Sequence, residues 1–195
     1  MRLNRPLWYA GGILMASLMA GCPASKTVTE IPPAVPREAV TPSAPTTPDT
    51  SIVPTIDPEG LKSKIAENKG KVVVVNMWAT WCGPCVKEFP ALISFSKANA
   101  ERGVELLTVS FDTPKRDDVK VSAFLEKNGQ SKGAYLNKAG LDPDGYPQML
   151  EPKLPADADF PLPRTYIFDR DGKLVEVLTS EQTVASLQKA VAAYL

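Results

Sequence analysis

Two cysteines, Cys82 and Cys85 in the stretch WATWCGPC, are the residues of this chain whose type and spacing could do chemistry. Cysteines separated by two residues can form a redox-active dithiol, half of a zinc site, a structural disulfide or a Cu(I) clip. The pair follows an apolar, β-branched run, and a helix is predicted to start at the CGPC and run to about residue 100. A helix N-terminus has unpaired N–H groups and a partial positive charge, which lower the pKa of a thiol placed there. This context favours the dithiol, with an exposed Cys82 attacking a substrate disulfide and a partly covered Cys85 resolving the mixed disulfide.

The composition limits the kinds of site that the cysteine pair could form. The chain has 195 residues with 22 basic and 22 acidic side chains, which gives no indication of a nucleic-acid partner. It has no histidine and three cysteines, the third being Cys22, so a four-ligand zinc site is disfavoured and no metal or cofactor is predicted. A Cu(I) chaperone stays as a binding-module alternative. A thiol peroxidase is a second alternative, although Ala79 and Val75 stand where the peroxidase motif has Thr and Pro.

The N-terminus is typical of an export signal. Residues 1–21 have a basic start and an apolar stretch, and they end in LMAG before Cys22. This ending resembles a bacterial lipobox and predicts a lipoprotein signal peptide, with Cys22 as the lipidation site. An uncleaved anchor helix and an ordinary signal with an incidental cysteine are the alternatives, and all three place the domain outside the cytoplasm. Residues 22–56 are rich in Pro, Ser and Thr and are predicted to be a disordered tether, or a tail with no spacing role.

The remainder, residues 57–195, alternates helical and strand patterns. Asp57 is predicted to cap the first helix, Gly129 to close the third, and Ser180 to cap the last. The apolar stretches KVVVVNMW, VELLTVSF and RTYIFDRDGKLVEVL are predicted strands. This alternation indicates an α/β fold with a central mixed sheet and helices on both faces. Residues 137–163 are predicted to be a long irregular stretch, either a loop near the active site that shapes partner choice or an ornamental insertion.

The sequence VVVVNMWATWCGPCVKEFP resembles the thioredoxin superfamily, and more narrowly the membrane-anchored TlpA/ResA-type thiol–disulfide oxidoreductases. A second signature, PRTYIFDRDGKL, lies downstream, and the resemblance covers residues 57–195. It implies a thioredoxin-like fold with a long insertion before the strand that follows a cis-proline. Pro163 matches that proline, with Pro161 as the competing candidate. A cis bond there would expose the backbone of Leu162 for pairing with an extended substrate.

Four further residues around the motif receive predicted roles. Trp78 is predicted to pack in the core, and Trp81 to form part of the substrate surface around Cys82. Asn76 stands where thioredoxin has a buried aspartate, so that aspartate cannot relay protons here. Glu88 follows Cys85 by three residues on the same helix face, where the family often has an acid, and is the candidate proton acceptor for Cys85. The alternative is a solvated surface glutamate.

The resemblance implies a thiol–disulfide oxidoreductase and leaves open whether it reduces or oxidises its substrates. A Gly-Pro pair inside the motif is the choice of thioredoxin, whose potential is about −270 mV, and it favours a protein-disulfide reductase. The expected partners are exported proteins with disulfides or thiols, apocytochrome c among them, and a membrane electron donor that this sequence does not contain. We expect a monomer, lipid-anchored to a bacterial membrane, with its domain on the extracytoplasmic side.

Overall fold

A computed structural model describes residues 52–143, 145–155 and 158–195 of the chain. It contains a mixed sheet of six strands in the order β1-β4-β3-β2-β5-β6. In chain order the strands are β1 (Thr55–Ile56), β2 (Val72–Trp78), β3 (Val104–Ser110), β4 (Ala134–Asn137), β5 (Arg164–Phe168) and β6 (Leu174–Leu178). Strands β1 to β4 run parallel to one another. Strand β5 is antiparallel to β2, and β6 is antiparallel to β5. The predicted fold class, a mixed sheet in an α/β protein, is confirmed.

Strand β2 lies in the middle of the sheet and every one of its residues is buried. It pairs with β3 on one side and with β5 on the other. A strand that is covered on both faces needs apolar side chains on both, which is why the sequence VVVVNMW shows no alternation of apolar and polar residues. The C-terminal end of this strand is therefore a rigid base for the residues that follow it.

Five α-helices flank the sheet in the described residues: α1 (Pro58–Glu67), α2 (Gly83–Asn99), α3 (Asp118–Asn128), α4 (Tyr146–Leu150) and α5 (Val184–Val191). Asp57 caps α1 by accepting a hydrogen bond from the backbone N–H of Gly60 at 2.8 Å, as the sequence predicted. Gly129 ends α3 in the left-handed conformation, at a φ of 75°, which glycine adopts without steric cost.

The described domain begins before residue 57, so the predicted tether boundary at residue 56 is wrong. Strand β1 joins the edge of the sheet next to β4, where Lys138 N–H donates to the carbonyl of Ile56 at 2.8 Å. Val53 and Ile56 are both buried. A strand of two residues is too short to show a hydrophobic period, which is why it was not predicted from the sequence.

The stretch predicted to be irregular contains regular structure. It begins on the last residue of β4 and includes the short helix α4, whose Tyr146 and Leu150 are buried. A helix of 5 residues gives too little sequence for a helical period.

The predicted cap of the last helix is also wrong, because Thr183 and not Ser180 caps α5. The side-chain oxygen of Thr183 accepts a hydrogen bond from Ser186 N–H at 3.1 Å. The backbone of Gln182 is bound to Glu88 instead, so the helix starts later.

Candidate active site

Cys82 and Cys85 form a disulfide bond at the start of α2, with their Cα atoms 5.3 Å apart. Cys82 is the N-cap residue of this helix, and its Sγ accepts a hydrogen bond from the backbone N–H of Cys85 at 3.3 Å. Pro84 occupies the first turn, where its missing N–H has no helical partner to lose. Helix α2 thus presents its positive end to the sulfur of Cys82, the arrangement that stabilises a thiolate.

The two cysteines differ little in exposure. Cys82 is 6% exposed and Cys85 is fully buried. The predicted exposed Cys82 is therefore wrong for this disulfide form, because its sulfur turns toward the helix N–H groups and is bonded to the buried Cys85. Cys82 is still the more accessible of the two.

A tight turn leads from β2 into the cysteine pair and is held by a buried carboxylate. Cys82 N–H donates to the carbonyl of Ala79 at 3.2 Å, which closes the turn. Asp112 lies 1% exposed and accepts three hydrogen bonds, from Thr80 N–H at 2.8 Å, from the Thr80 hydroxyl at 2.5 Å and from the Ser110 hydroxyl at 2.6 Å. Asp112 thereby fixes the turn that projects the first cysteine.

Asp112 was not singled out from the sequence, although a signal for it exists. It follows β3 closely, and β3 runs parallel beside β2. The C-terminal ends of parallel neighbours meet at one edge of the sheet, which is the edge where the cysteine pair begins. A polar residue within two positions of the end of such a strand is thus a candidate for contact with this turn.

The two tryptophans of the motif have opposite environments. Trp78 is fully buried, and its ring lies 4.6 Å from that of Phe89 and 4.8 Å from that of Phe124. It belongs to the core, as predicted. Trp81 is 56% exposed beside Cys82 in the chain. Val86, one turn into α2, is a second exposed apolar side chain, so the described surface next to the cysteines is partly apolar.

Glu88 is 1% exposed, so the alternative of a solvated surface glutamate is wrong. One of its carboxylate oxygens accepts a hydrogen bond from the side-chain amide of Asn76 at 2.8 Å, and the other from the backbone N–H of Gln182 at 2.7 Å. The same amide of Asn76 donates to the Thr165 hydroxyl at 2.9 Å. Residues from β2 and from the chain before α5 therefore bind this carboxylate of α2, and Thr165 of β5 binds it indirectly through Asn76.

Burial raises the pKa of Glu88, and the hydrogen bonds from Gln182 and Asn76 offset only part of that rise. Among the described residues, the Oδ1 atom of Asn76 is buried without a hydrogen-bond partner. Such an orphan acceptor is uncommon in protein interiors. If the side-chain amide of Asn76 turns over, this oxygen faces Glu88 and can accept a hydrogen bond from that side.

Leu162 and Pro163 directly precede β5, and the peptide bond between them is cis. Arg164, the first residue of β5, pairs with Met77, one residue before the end of β2. The two residues therefore lie at the sheet edge where the cysteine-bearing turn begins. Pro163 is buried and Leu162 partly exposed. Their predicted part in substrate pairing stays a prediction.

Cys22, the predicted lipidation site, lies outside the described residues. Within the described ranges, no helix combines the length and the hydrophobicity needed to cross a bilayer.

Comparison with known proteins agrees with this geometry. The profile of the AhpC/TSA family matches residues 46–177. This chain belongs to the AhpC/TSA family. A thiol–disulfide oxidoreductase ResA from Bacillus anthracis is 32% identical over 132 residues, which cover 68% of this chain and 68% of that protein. ResA from Bacillus subtilis is 31% identical over 127 residues, 65% of this chain and 63% of that protein. Within the family the chain is thus a ResA-type thiol–disulfide oxidoreductase, and the predicted resemblance to these oxidoreductases is confirmed. The membrane anchor stays a prediction.

Alignment with solved structures supports a thioredoxin-like fold for this chain. A thiol:disulfide interchange protein of the thioredoxin family from Chlorobium tepidum aligns with a TM-score of 0.54 at 22% identity, over 66% of this chain and 83% of that chain. A DsbF homologue from Corynebacterium diphtheriae aligns with a TM-score of 0.54 at 23% identity, over 66% of this chain and 75% of that chain. At these identities the likeness concerns the fold alone.

Proposed function

We propose that this chain is an exported, membrane-tethered oxidoreductase that reduces disulfides of exported proteins. The observation that carries the proposal is the position of Cys82, whose sulfur accepts the N–H of Cys85 at the N-terminus of α2. A thiolate at that site is stabilised, and Cys82 is the more accessible of the two cysteines, which favours it as the sulfur that attacks a substrate disulfide.

In the proposed reaction the reduced dithiol gives two electrons to a substrate disulfide. The Cys82 thiolate attacks one substrate sulfur, a mixed disulfide forms, and the other substrate sulfur leaves as a thiolate that takes up a proton. Cys85 then loses its proton and attacks Cys82, which releases the second substrate thiol and leaves the Cys82–Cys85 disulfide. A dithiol electron donor must reduce that disulfide before the next turnover.

Glu88 is the proposed acceptor for the proton that Cys85 loses. It lies one helical turn after Cys85 and is almost completely buried. Its raised pKa brings the carboxyl closer to the range in which it can take up and release a proton under working conditions. Trp81, Leu162 and Pro163 are the proposed contacts of the substrate polypeptide.

The tether and the location are proposed from the N-terminal sequence. Removal of residues 1–21 and lipidation of Cys22 would hold the domain on the extracytoplasmic side of a bacterial membrane, where apocytochrome c and other exported cysteine proteins are available as substrates. The same location requires that electrons reach the protein from a membrane donor. The proposed active unit is a monomer.

The test is substrate trapping with Cys85→Ser in cells. This variant keeps the attacking thiol and lacks the resolving one, so substrates should accumulate as mixed disulfides on Cys82. Cys82→Ser is the matched control and should trap far less. Exported cysteine proteins on Cys85→Ser, identified by mass spectrometry, would support the proposal; an equal amount of adduct on both variants would overturn it.

Titration of the reduced wild-type protein with Cu(I), compared with an insulin-reduction assay, separates the oxidoreductase from the copper-chaperone alternative. An oxidoreductase should reduce insulin disulfides with a dithiol donor present. Tight Cu(I) binding without disulfide reduction would favour the chaperone, in which two thiolates hold the ion.

A further inference from the structure

The segment before Pro163 lies at the same edge of the sheet as the cysteine pair. We call its described residues 145–155 and 158–163 the pre-proline segment. Phe111, which follows β3 at that edge, donates its backbone N–H to the carbonyl of Trp78 at 2.8 Å. The ring of Phe111 lies 6.0 Å from that of Phe160 and 5.6 Å from that of Tyr146. Two side chains of the segment are therefore packed onto the end of the sheet that carries the active site.

An almost buried ion pair attaches this segment to β5. Arg164 donates from Nε to one carboxylate oxygen of Glu151 at 2.7 Å and from Nη2 to the other at 2.9 Å. The Tyr166 hydroxyl donates to the same carboxylate at 2.7 Å. The side chains of Arg164 and Glu151 are 7% and 17% exposed. Two parallel charge-assisted bonds fix orientation as well as distance, so Glu151 determines where the segment meets the residue after Pro163.

Phe160 is held by the same arrangement. The Arg164 guanidinium carbon lies 5.2 Å from the centre of the Phe160 ring, within the range of a cation–π contact. Phe160 is only partly buried and precedes Leu162 by two residues. A partly exposed aromatic ring is thus packed against Arg164 and Phe111, two residues before Leu162, at whose backbone a substrate polypeptide is proposed to pair. Aromatic side chains held in place by packing carry much of the binding energy in protein recognition.

We propose that the pre-proline segment selects polypeptide substrates, with Phe160 as a specificity-determining residue and Glu151 as the residue that positions it. This inference rests on the proposed disulfide reductase function and deepens it by naming the residue that separates polypeptide disulfides from small ones. Phe160 contacts apolar side chains that flank the cysteine of an extended polypeptide. A small disulfide has no such flanking residues and reaches Cys82 without this contact.

The test compares two disulfides in single-turnover oxidation of the pre-reduced protein. The probes are insulin, as a polypeptide, and 5,5′-dithiobis(2-nitrobenzoate), as a small disulfide, and the quantity measured is the ratio of their second-order rate constants. We expect Phe160→Ala and Glu151→Gln to lower the insulin-to-small-disulfide ratio about tenfold, as loss of one good contact does. The ratio is independent of the fraction of active protein, so a stability loss alone does not move it.

Asp159→Asn is the matched control, because Asp159 is exposed in the same segment and the change again converts a carboxylate to an amide. It should keep the wild-type ratio. An unchanged ratio in Phe160→Ala would overturn the proposal even if Glu151→Gln fails to fold, and an equal fall in Asp159→Asn would overturn it as well. A wild-type protein that reacts with neither probe would instead refute the reductase function on which the proposal rests.

Discussion

The carboxylate of Glu88 accepts the backbone N–H of Gln182 at 2.7 Å, although the two residues are 94 positions apart in the chain. This bond joins the helix that carries the cysteine pair to the chain that enters the last helix. Asn76 binds the other oxygen of the same carboxylate. Glu88 is therefore both a buried link in the structure and the titratable group that follows Cys85 by one turn.

Burial of Glu88 makes the stability of the protein depend on pH. Because burial raises its pKa above the usual 4.5, the folded protein binds this proton more tightly than the unfolded chain. The stabilising contribution of the protonated carboxyl is present below 4.5 and is lost as the pH rises through the raised pKa. We expect the free energy of unfolding of the wild type, relative to Glu88→Gln, to fall over that window, as measured by urea titration at several pH values. Parallel pH curves for the two proteins would refute it.

The replacement itself should be tolerated at acidic pH. The oxygen of the new amide at position 88 can accept the backbone N–H of Gln182. Its NH₂ group can donate to the Oδ1 of Asn76, which has no partner in the described structure, once the Asn76 side-chain amide turns over. We therefore expect Glu88→Gln to cost about 1 kcal/mol or less at pH 4. Glu88→Ala serves as the contrasting variant, since it leaves the backbone N–H of Gln182 unpaired and removes one of the two acceptors of the Asn76 amide, and it should cost more.

The same substitution should shift the titration of the thiols. An ionised carboxylate near a thiol disfavours a second negative charge and so raises the thiol pKa. Glu88→Gln removes that charge, and the pKa of Cys82 should fall. The pH dependence of iodoacetamide alkylation in the reduced protein measures this shift, with Lys87→Gln as a control for loss of an exposed charge on the same helix. If the two variants and the wild type share one alkylation profile, Glu88 has no part in the thiol chemistry.

Asp112 should be required for the position of Cys82. Asp112→Asn replaces one acceptor oxygen by an amide that faces donors, which should destabilise the fold by about 1–3 kcal/mol and slow the alkylation of Cys82. Thr80→Val removes only the hydroxyl partner and keeps the backbone N–H bond, so its effects should be smaller. Thermal unfolding and alkylation rates of the reduced proteins test both points. Full retention of stability and rate in Asp112→Asn would show that the turn holds without this clamp.

Lipidation of Cys22 can be checked by mass spectrometry of the protein purified from membranes. The wild type should carry a mass increase of an attached lipid on Cys22, and Cys22→Ala should accumulate as unlipidated precursor. Cys22→Ala also leaves Cys82 and Cys85 as the remaining thiols, so disulfide reduction by the purified variant should be unchanged. An unmodified Cys22 in the mature wild type would contradict the lipoprotein assignment.

Local sequence determined the parts of this protein that depend on neighbouring residues. The apolar run before WATWCGPC predicted the buried strand β2, and the CGPC predicted the start of the next helix. Asp57 and Gly129 marked helix ends because a cap acts on backbone groups within one turn. The cysteine pair and its helix N-terminus, the centre of the candidate site, followed from these short-range rules.

Tertiary structure alone decided which buried polar groups meet. Asp112 reaches Thr80, Glu88 reaches Gln182, and Glu151 reaches Arg164 only because the sheet brings the ends of separate strands and helices together. Nothing in the residues next to Glu88 distinguishes a solvated carboxylate from a buried one. The two-residue strand β1 likewise exists only because β4 offers it an edge. Periodicity and capping act over a few residues, whereas the partners of a buried charge are selected by the packing of the whole domain.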